Sequence, residues 1–227
     1  MSASASYIAR RAQLETYFDR TAVAAWARLT SDAPVSGIRA TVRAGRDKMR
    51  ATLLSYLPAD LTGLRILDAG CGTGALAVEA AARGAEVVAI DLSPTLVDLA
   101  RERAGHHLNI DFRTGDMADP ALGRFDHVVA MDSLIHYRAP DMARVAISLA
   151  ARAERSLVFT FAPRTPLLSA MHTVGKIFPR GDRSPAIEPV TPAHIRKLIE
   201  AEGLRTLRSD RIAGGFYISQ ALEVVRA

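Results

Sequence analysis

The sequence predicts an α/β fold with a mainly parallel sheet, preceded by helical segments and interrupted late by an irregular insertion. From Arg65 onward, short apolar runs rich in β-branched residues alternate with helical patterns, which is typical of βαβ units. Two β-rich segments separated by AGG come last and predict an antiparallel hairpin. The 227 residues allow one domain with extensions, and a hydrophobic content of 49% argues against a disordered chain.

The first strands and helices have clear boundaries. The run RILDAG predicts a strand that ends at Asp68, and a helix follows over about residues 73–83. AEVVAID predicts the second strand, which ends at Asp91. Ser93 is a good N-cap for the next helix because Pro94 follows at its first position.

The later elements continue the same rhythm. NIDFRTGD and FDHVVAMD predict the third and fourth strands, MARVAISLAARA a helix, and RSLVFTF a fifth strand that ends near Phe161. A further helix begins at Thr191 and Pro192. The segments LRTLRSDRIA and FYISQALEVV then predict the two strands of the closing hairpin.

Two stretches fall outside this rhythm and divide the chain. Residues 162–190 contain five prolines and two glycines, so we expect an insertion that covers a substrate rather than a plain connection. Residues 1–63 read as helical, broken by TSDAPVSG, and predict an N-terminal arm across the carboxyl ends of the strands. Residues 64–227 then form the main domain.

The arm carries a basic face. The pattern between Gly37 and Leu57 predicts a helix, and arginines recur along it at spacings of four, three and four. This face is either simply solvated or a site for carboxylates, lipid head groups or a partner protein. The formal charge of +5 does not choose among these, and nucleic acid is not an expected partner. The arginines are Arg39, Arg43, Arg46 and Arg50.

Cysteine content and hydropathy bear on the compartment. The single cysteine, Cys71, excludes an intramolecular disulfide and a cysteine cluster for zinc, so a reducing cytoplasm fits. The N-terminal residues have no apolar core of the kind a signal peptide needs, and no apolar run approaches the roughly 18 residues of a membrane span. We therefore expect neither a signal peptide nor a transmembrane helix.

The glycine-rich run LDAGCGTGA predicts a ligand-binding loop. Gly70, Gly72 and Gly74 follow a strand and precede a helix, where glycines permit close backbone approach and the helix offers free N–H groups. With Ala75 the run also satisfies the dinucleotide fingerprint G-x-G-x-x-G/A. Both kinds of site expect an acid at the end of the second strand to bind ribose hydroxyls, and Asp91 is that acid.

Two acids shift the interpretation away from a dinucleotide. Asp68 immediately before the glycines would repel a pyrophosphate but attract a cationic sulfonium. In TGDM, Asp116 could accept a bond from a purine amine, and Met117 could flank the ring. This order resembles the S-adenosylmethionine site of class I methyltransferases, which implies a Rossmann-like sheet of five parallel strands plus the antiparallel hairpin. The implied cofactor contacts are Asp68, Gly70, Cys71, Gly72, Gly74, Asp91, Leu92, Asp116, Met117 and Met131.

The segment MDSLIHY lies where the fourth strand ends. Ligands of open α/β sheets bind at the carboxyl ends of the strands, so we expect Met131 to Tyr137 to face the transferred methyl group or its acceptor. Asp132, His136 and Tyr137 are candidate chemistry residues. The alternative is that His136 and Tyr137 cap the strand and pack beneath the insertion. A nucleophilic role for Cys71 is rejected because no general base is tied to it in the sequence.

Further residues resemble a narrower family. MDSLIHY, the insertion TFAPRTPLLSAMHTVGKIFPRGDRSPAIEPV and the N-terminal runs YFDRTAVAAWARLTSD and GIRATVRAGRDKMR are similar to magnesium-protoporphyrin O-methyltransferases. The resemblance implies methyl transfer from S-adenosylmethionine to the 13-propionate of Mg-protoporphyrin IX on the way to (bacterio)chlorophyll, leaving S-adenosylhomocysteine. It also implies that Tyr17 and His136 take part in catalysis. A propionate is already ionised at neutral pH, so His136 fits an orienting donor better than a base.

The acceptor would meet basic and apolar side chains. One arginine would bind the second propionate, and apolar residues of the insertion suit a flat macrocycle. His172 is either an axial ligand of the magnesium or an ordinary polar position, and we expect no protein-bound metal because the magnesium belongs to the substrate. The expected acceptor contacts are Arg39, Arg43, Tyr137, Arg164, Leu168, Met171, His172, Phe178 and Arg180, with Arg183 as a further arginine candidate.

The resemblance also implies partners. They are the porphyrin-binding subunit of magnesium chelatase, which would deliver the substrate, and a loose peripheral contact with a pigment-synthesising membrane. Two other functions stay open from the residues alone. One is a methyltransferase for a different small molecule, in which His136 would be a true base. The other is a non-catalytic carrier that binds the cofactor or a porphyrin.

Overall fold

A mixed sheet forms the centre of the protein. The computed structural model describes residues 4–21, 30, 37–105, 108–164 and 186–227, and within them the sheet has eight strands. The strands are β1 (Arg65–Ala69), β2 (Glu86–Asp91), β3 (Ile110–Thr114), β4 (Phe125–Ala130), β5 (Ala153–Phe161), β6 (Leu204–Thr206), β7 (Arg211–Gly214) and β8 (Tyr217–Arg226). The α-helices are α1 (Ala5–Thr16), α2 (Gly37–Ser55), α3 (Ala75–Ala82), α4 (Pro94–Ala104), α5 (Ala139–Ala150) and α6 (Pro192–Glu200).

The strand order confirms the predicted fold class. The strands run β3-β2-β1-β4-β5-β8-β6, and β7 pairs with β8. The five strands β1 to β5 are parallel, whereas β8 is antiparallel to β5, β6 and β7. Parallel strands leave their carboxyl ends at one edge, so the loops after β1, β2, β3 and β4 meet there.

Among the boundaries that differ from the sequence prediction, two involve more than a residue or two at an element's end. The predicted strand LRTLRSDRIA is split into β6 and β7 by residues 207–210, which still bond to β8: the Leu207 N–H donates to the carbonyl of Glu223 at 2.9 Å. Within this interruption the Asp210 carboxylate accepts the Tyr56 hydroxyl at 2.5 Å. Helix α5 begins at Ala139, three residues before the predicted start, because Pro140 is well suited to the first turn.

Side chains alternate across the strands and build two cores. On one face, Leu67, Val128 and Leu157 pack with residues of α1, α5 and α6. On the other, Ile66 and Val129 pack with residues of α2, α3 and α4. The arm is therefore part of both cores, since α1 covers one face and α2 the other.

Helix α2 approaches β8 very closely at one glycine. A Cβ on Gly45 would lie 2.5 Å from the Cδ1 atom of Tyr217, so this position has no room for a side chain. At its other side, α2 is tied to α3 by the Arg50 guanidinium, which donates to Glu79 at 3.0 Å. These contacts fix the direction of the α2 side chains. None of the helices in the described ranges combines the length and hydrophobicity that crossing a membrane requires.

Candidate active site

A cavity of about 540 Å³ lies at the carboxyl edge of the sheet. Its wall combines the glycine loop after β1, the end of β2, and the segments after β3 and β4. Residues of the helices α1, α2, α3 and α4 complete it. A volume of this size is within the range of about 300–1,000 Å³ that small-molecule sites have. The glycine loop and the MDSLIHY segment therefore share one cavity.

The glycine loop folds back on β2 and leaves space above it. The N–H groups of Gly70 and Cys71 both donate to the carbonyl of Ile90, at 2.8 and 3.0 Å. A Cβ on Gly70 would lie 2.3 Å from the Cβ of Ser133, whereas a Cβ on Gly72 would meet no atom within 4 Å. Gly70 thus serves close packing, and Gly72 opens a backbone cradle on the cavity wall.

Gly74 has a different role from its two neighbours. It has φ 78° and precedes the first residue of α3, and a Cβ on it would lie 3.0 Å from the Phe112 ring. It is absent from the cavity wall in the described part of the chain. The third glycine therefore shapes the turn into the helix.

Asp68 presents a buried carboxylate to the cavity. The residue is 1% exposed, and its Oδ2 atom has no hydrogen-bond partner among the described residues. Burial, reinforced by the nearby charge of Asp91, raises the pKa of Asp68 to about 7. An unpartnered buried carboxylate oxygen beside an open backbone cradle fits a ligand that carries positive charge, as S-adenosylmethionine does.

Asp91 closes the loop from the second strand. Its carboxylate accepts the Gly72 N–H at 2.8 Å and the Ser93 N–H at 3.0 Å, and Ser93 caps α4 through the Leu96 N–H at 3.2 Å. Burial raises the pKa of Asp91, and the two backbone donors oppose that rise. The acid and the following Leu92 lie on the cavity wall where the sequence predicted them.

Asp116 is placed differently from its neighbours on the wall. Its Oδ1 atom accepts the Tyr7 hydroxyl at 2.6 Å and the Ala118 N–H at 2.9 Å, and its Oδ2 atom accepts Arg11 at 2.7 Å. Met117 lines the cavity, but Asp116 does not. In this structure the predicted purine acceptor holds helix α1, and its contact with a purine stays a prediction.

Tyr7 lies behind the cavity wall and supports it, a role that the sequence did not predict. It is 6% exposed and stacks on Tyr137, with ring centroids 5.1 Å apart and planes 24° apart. Helix α1 is also held at its start, where Ser4 and Ser6 donate to Asp141 at 2.6 and 2.7 Å. A single aromatic residue in the helical run ASYIARR was the available signal, but nothing in the sequence indicated which strand end it reaches.

The short π-helical turn Tyr17–Thr21 continues α1 over the cavity. Leu14 and Phe18 line the wall, whereas Tyr17 lies outside it and contacts Phe18 edge-on at 5.1 Å. The turn is anchored by Asp19, which accepts the Thr95 hydroxyl at 2.8 Å and N–H at 3.2 Å. These donors lower the pKa of Asp19. The catalytic role expected of Tyr17 stays a prediction, because Phe18 is the residue that this turn directs inward.

The segment after β4 brings His136 and Tyr137 to the cavity. Both are buried and line the wall. The His136 Nδ1 atom lies 3.4 Å from the Ala186 carbonyl oxygen, and its ring centroid lies 5.8 Å from that of Phe18. The segment is fixed to the glycine loop because the Ser133 hydroxyl donates to the Ala69 carbonyl at 2.8 Å. The sequence left open whether His136 and Tyr137 face the cavity or pack beneath the insertion. In the structure both are buried by packing and also line the cavity.

The basic face of α2 divides between solvent and cavity. Arg39 is exposed and lies off the wall, whereas Arg43, Arg46 and Arg50 line it. Arg164 is likewise exposed and lies off the wall, and it donates to the Pro189 carbonyl at 3.4 Å. The other expected acceptor contacts lie outside the described residues; they are Leu168, Met171, His172, Phe178, Arg180 and Arg183.

Cys71 lies on the cavity wall, but its environment does not favour a reactive thiol. Burial raises the pKa of the Cys71 thiol well above its usual range, with the charges of Asp68 and Asp91 adding to the rise, so the thiol is a poor nucleophile. The described ranges contain no group of three or more His, Cys, Asp or Glu side chains that could hold a metal ion. Cys71 and Met131 both line the cavity as predicted.

Comparison with protein families identifies two matching segments. Residues 130–226 match the family described as magnesium-protoporphyrin IX methyltransferase C-terminus. Residues 66–155 match a methyltransferase domain. The two matches overlap over residues 130–155, from the end of β4 to the start of β5, and together include the glycine loop and the MDSLIHY segment.

Individual relatives match over nearly the whole chain. The chain is 54% identical to magnesium-protoporphyrin O-methyltransferase of Rhodobacter capsulatus over 220 residues, covering 96% of this chain and 97% of the relative. It is 32% identical to the enzyme of that name from Synechocystis over 217 residues, covering 93% and 94%. The crystal structure of magnesium protoporphyrin IX methyltransferase from Synechocystis with bound S-adenosylhomocysteine superposes with a TM-score of 0.86 at 30% identity, covering 96% of this chain and 100% of that one.

Proposed function

The chain belongs to the magnesium-protoporphyrin O-methyltransferase family, and on that premise we propose that its cavity aligns S-adenosylmethionine with the 13-propionate of Mg-protoporphyrin IX. One observation carries the proposal: a single cavity is lined by the Asp68 carboxylate and Gly72 cradle on one side and by His136, Tyr137 and α2 arginines on the other. The reaction is S-adenosylmethionine-dependent methyl transfer, and the ester product belongs to (bacterio)chlorophyll synthesis.

The cofactor side supplies charge and shape. Asp68 would hold a cationic part of the cofactor, Gly72 would admit it close to the backbone, and Asp91 would bind its ribose hydroxyls. When bound, the cofactor supplies a methyl group on a positively charged sulfur. Leu92 and Met131 offer apolar contacts on the same wall. The remaining proposed contacts are Gly70, Cys71, Gly74, Asp116 and Met117.

The acceptor side mainly needs to orient an anion. A carboxylic acid with a pKa of about 4 to 5 is ionised at neutral pH, so no strong base is required. We propose that His136 and Tyr17 orient the reacting carboxylate as hydrogen-bond donors. Leu14 and Phe18, brought over the cavity by the arm, would exclude water from the reacting groups.

The arm and the insertion would cover the macrocycle. Residues 1–63 supply α1 and α2 on either side of the cavity, and residues 162–190 would supply apolar contacts for a flat porphyrin. The magnesium would arrive as part of the substrate. Besides Tyr137 and Arg43 on the wall, the proposed acceptor contacts are Arg39, Arg164, Leu168, Met171, His172, Phe178 and Arg180.

The direct experiment is methyl transfer with purified components. The protein is incubated with methyl-labelled S-adenosylmethionine and Mg-protoporphyrin IX, and the porphyrin ester is separated and located by two-dimensional NMR. We expect one label per porphyrin at the 13-propionate. Absence of ester, with the porphyrin bound, would favour a carrier over an enzyme, and ester at the other propionate would correct the position.

We propose a peripheral contact with an anionic membrane, made from the cytoplasmic side. Ile38 and Phe216 are 55% and 53% exposed, at the first turn of α2 and beside the hairpin of β7 and β8. These two elements touch, since a Cβ on Gly215 would lie 2.7 Å from that of Thr41, and exposed Arg39 adds positive charge. Exposed apolar residues next to cations suit a lipid surface.

Vesicle binding tests this contact. The wild type should co-float with vesicles that contain anionic lipid and stay unbound with neutral ones, and replacing Ile38 and Phe216 by serine should weaken binding. Equal binding of both proteins would contradict the assignment. Delivery of the porphyrin by a magnesium chelatase subunit is a separate proposal, supported by the family resemblance alone. Stimulation of turnover by that purified subunit would test it.

A further inference from the structure

Arg46 and Asp132 form an ion pair on the cavity wall. The Arg46 Nη1 atom lies 2.6 Å from the Asp132 Oδ2 atom, and the two side chains are 22% and 7% exposed. Arg46 comes from α2, and Asp132 comes directly after β4, so the pair joins the arm to the sheet. Both residues line the cavity.

The backbone of Asp132 is held in a conformation that costs energy. Asp132 has φ 53° and is the sole non-glycine residue with positive φ in the described ranges. Such conformations persist where the surroundings enforce them, often at functional sites. Here the Asp132 N–H donates to the Thr160 Oγ1 atom at 2.7 Å, and the next residue, Ser133, packs against the glycine loop.

Three hydroxyl groups fix the Asp132 carboxylate. It accepts Thr160 at 3.1 Å, Tyr217 at 3.1 Å and Ser219 at 3.3 Å. These donors come from β5 and β8, so the carboxylate has little freedom to follow a moving partner. It can therefore act as a fixed anchor for the Arg46 guanidinium.

Arg46 is fixed from its own helix as well. The neighbouring Gly45 packs directly on Tyr217, which sets the rotation of α2 at this point. Arg50, one turn later, is engaged by Glu79 at 3.0 Å and by Asp47 at 2.9 Å, so its ion pairs hold α2 in place. Arg46 is the arginine of this helix that a buried carboxylate holds against the cavity.

We propose that Arg46, positioned by Asp132, binds the acceptor's second carboxylate, the one that is not methylated, and so selects acceptors with two acidic groups. The inference rests on the proposed function. A guanidinium has five N–H donors in a planar fork and can bridge two carboxylates. The reacting carboxylate loses its charge in the transition state, so a fixed cation beside it would favour the ground state. A carboxylate that stays anionic gains from the cation throughout.

Binding measurements with two acceptors and two proteins test the pairing. The full-length chain, saturated with S-adenosylhomocysteine, is titrated with Mg-protoporphyrin IX and with its analogue whose second propionate is a primary amide, followed by porphyrin fluorescence. We expect about 10- to 100-fold weaker binding of the amide by the wild type, as for a hydrogen bond to a charged group. Arg46→Gln should bind the diacid more weakly than the wild type by the same factor. Its affinity for the amide should be almost the same as that of the wild type.

Control variants separate recognition from structure. Lys48→Gln removes a positive charge from the exposed side of the same helix and should bind both acceptors as the wild type does. Asp132→Asn keeps size and tolerates positive φ, so it should stay folded, keep its cofactor Kd and lose the preference for the diacid as Arg46→Gln does. Retained preference in Asp132→Asn would overturn the positioning role.

The outcomes for the inference and for the proposed function are distinct. The inference would be overturned if Arg46→Gln lost affinity equally for both acceptors. It would also be overturned if the wild type did not bind the diacid. Diacid binding without ester formation would overturn the proposed function, while the comparison of affinities still decides the role of Arg46.

Discussion

The two sides of the cavity are built in different ways. The cofactor side comes from neighbouring elements, with the residues between Asp68 and Asp91 closing on each other through backbone donors such as the Gly72 N–H. The acceptor side is assembled from side chains far apart in the chain, as the bonds of Arg46 and Tyr217 to Asp132 illustrate. In our proposal, cofactor binding is thus encoded locally, whereas acceptor selection depends on tertiary assembly.

The largest expected effect concerns the cofactor side. Asp68→Asn should weaken S-adenosylmethionine binding by about 100-fold, because a buried charge contact is lost, while the ligand-free protein becomes more stable because a costly buried carboxylate is removed. Calorimetric titration and thermal unfolding measure the two effects. Asp98→Asn, on the exposed face of α4, is the control and should change neither. Weaker binding with lowered stability would indicate a structural role instead.

His136 should produce the opposite pattern. His136 lines the cavity, and we propose that it orients the acceptor. His136→Ala is therefore expected to lower kcat by about 10- to 100-fold and to leave the cofactor Kd nearly unchanged. Tyr17→Phe should act in the same direction. Steady-state kinetics and cofactor titration provide the readouts, with the exposed His194→Ala as control. Wild-type rates in His136→Ala would remove the residue from the mechanism.

The clamp on helix α1 should give a smaller effect. Tyr7→Phe deletes the hydroxyl that donates to Asp116, so α1 should open about 10-fold more often, as the loss of a charged hydrogen bond implies. Hydrogen exchange of residues 5–16 measures this opening. Tyr56→Phe removes a similar bond to Asp210 away from the cavity and should leave α1 exchange unchanged. Equal exchange in Tyr7→Phe and the wild type would show that α1 is held mainly by packing.

The pH dependence of S-adenosylmethionine affinity should be the smallest of the expected effects. The pKa of Asp68 is about 7 in the free protein, so the carboxyl is mostly protonated at pH 6 and ionised at pH 8. A cationic ligand requires the ionised form, and affinity should rise by up to about 10-fold over this interval before levelling. Asp68→Asn should remove the slope. Affinity that falls with rising pH would contradict the assignment.

The Asp68 carboxyl group should have the opposite effect on the stability of the ligand-free protein: stability should fall as the pH rises. Its folded pKa lies above the ordinary value of about 3.9, so the folded state binds more protons than the unfolded state between about pH 4 and 7. This contribution therefore makes the free protein less stable as pH rises through that interval. Denaturant unfolding of Asp68→Asn and of the wild type over this pH interval measures the contribution of Asp68 to the free energy of unfolding.

The contrast between the sides also explains what the sequence could predict. The strands follow from local patterns of apolar residues and caps, and the structure confirms them. It also places Asp91 against the glycine loop, where the Gly72 N–H donates to it, while their contacts with the cofactor stay a prediction. Tyr7 and Arg46 could not be assigned partners, because their contacts depend on how α1 and α2 cross the sheet. Asp116 shows the same limit, since no local pattern indicates that α1 donates to it.

Strand β8 determines when the acceptor side of the cavity can be completed during synthesis of the chain. It follows every other strand of the described sheet along the chain, yet Tyr217 and Ser219 on it bind Asp132 at the cavity. On the ribosome, the glycine loop and β1 to β4 emerge well before this strand. The glycine loop is therefore synthesised while the wall around Asp132 is still incomplete. On our proposal for Arg46, selection of the acceptor begins only when β8 joins the sheet.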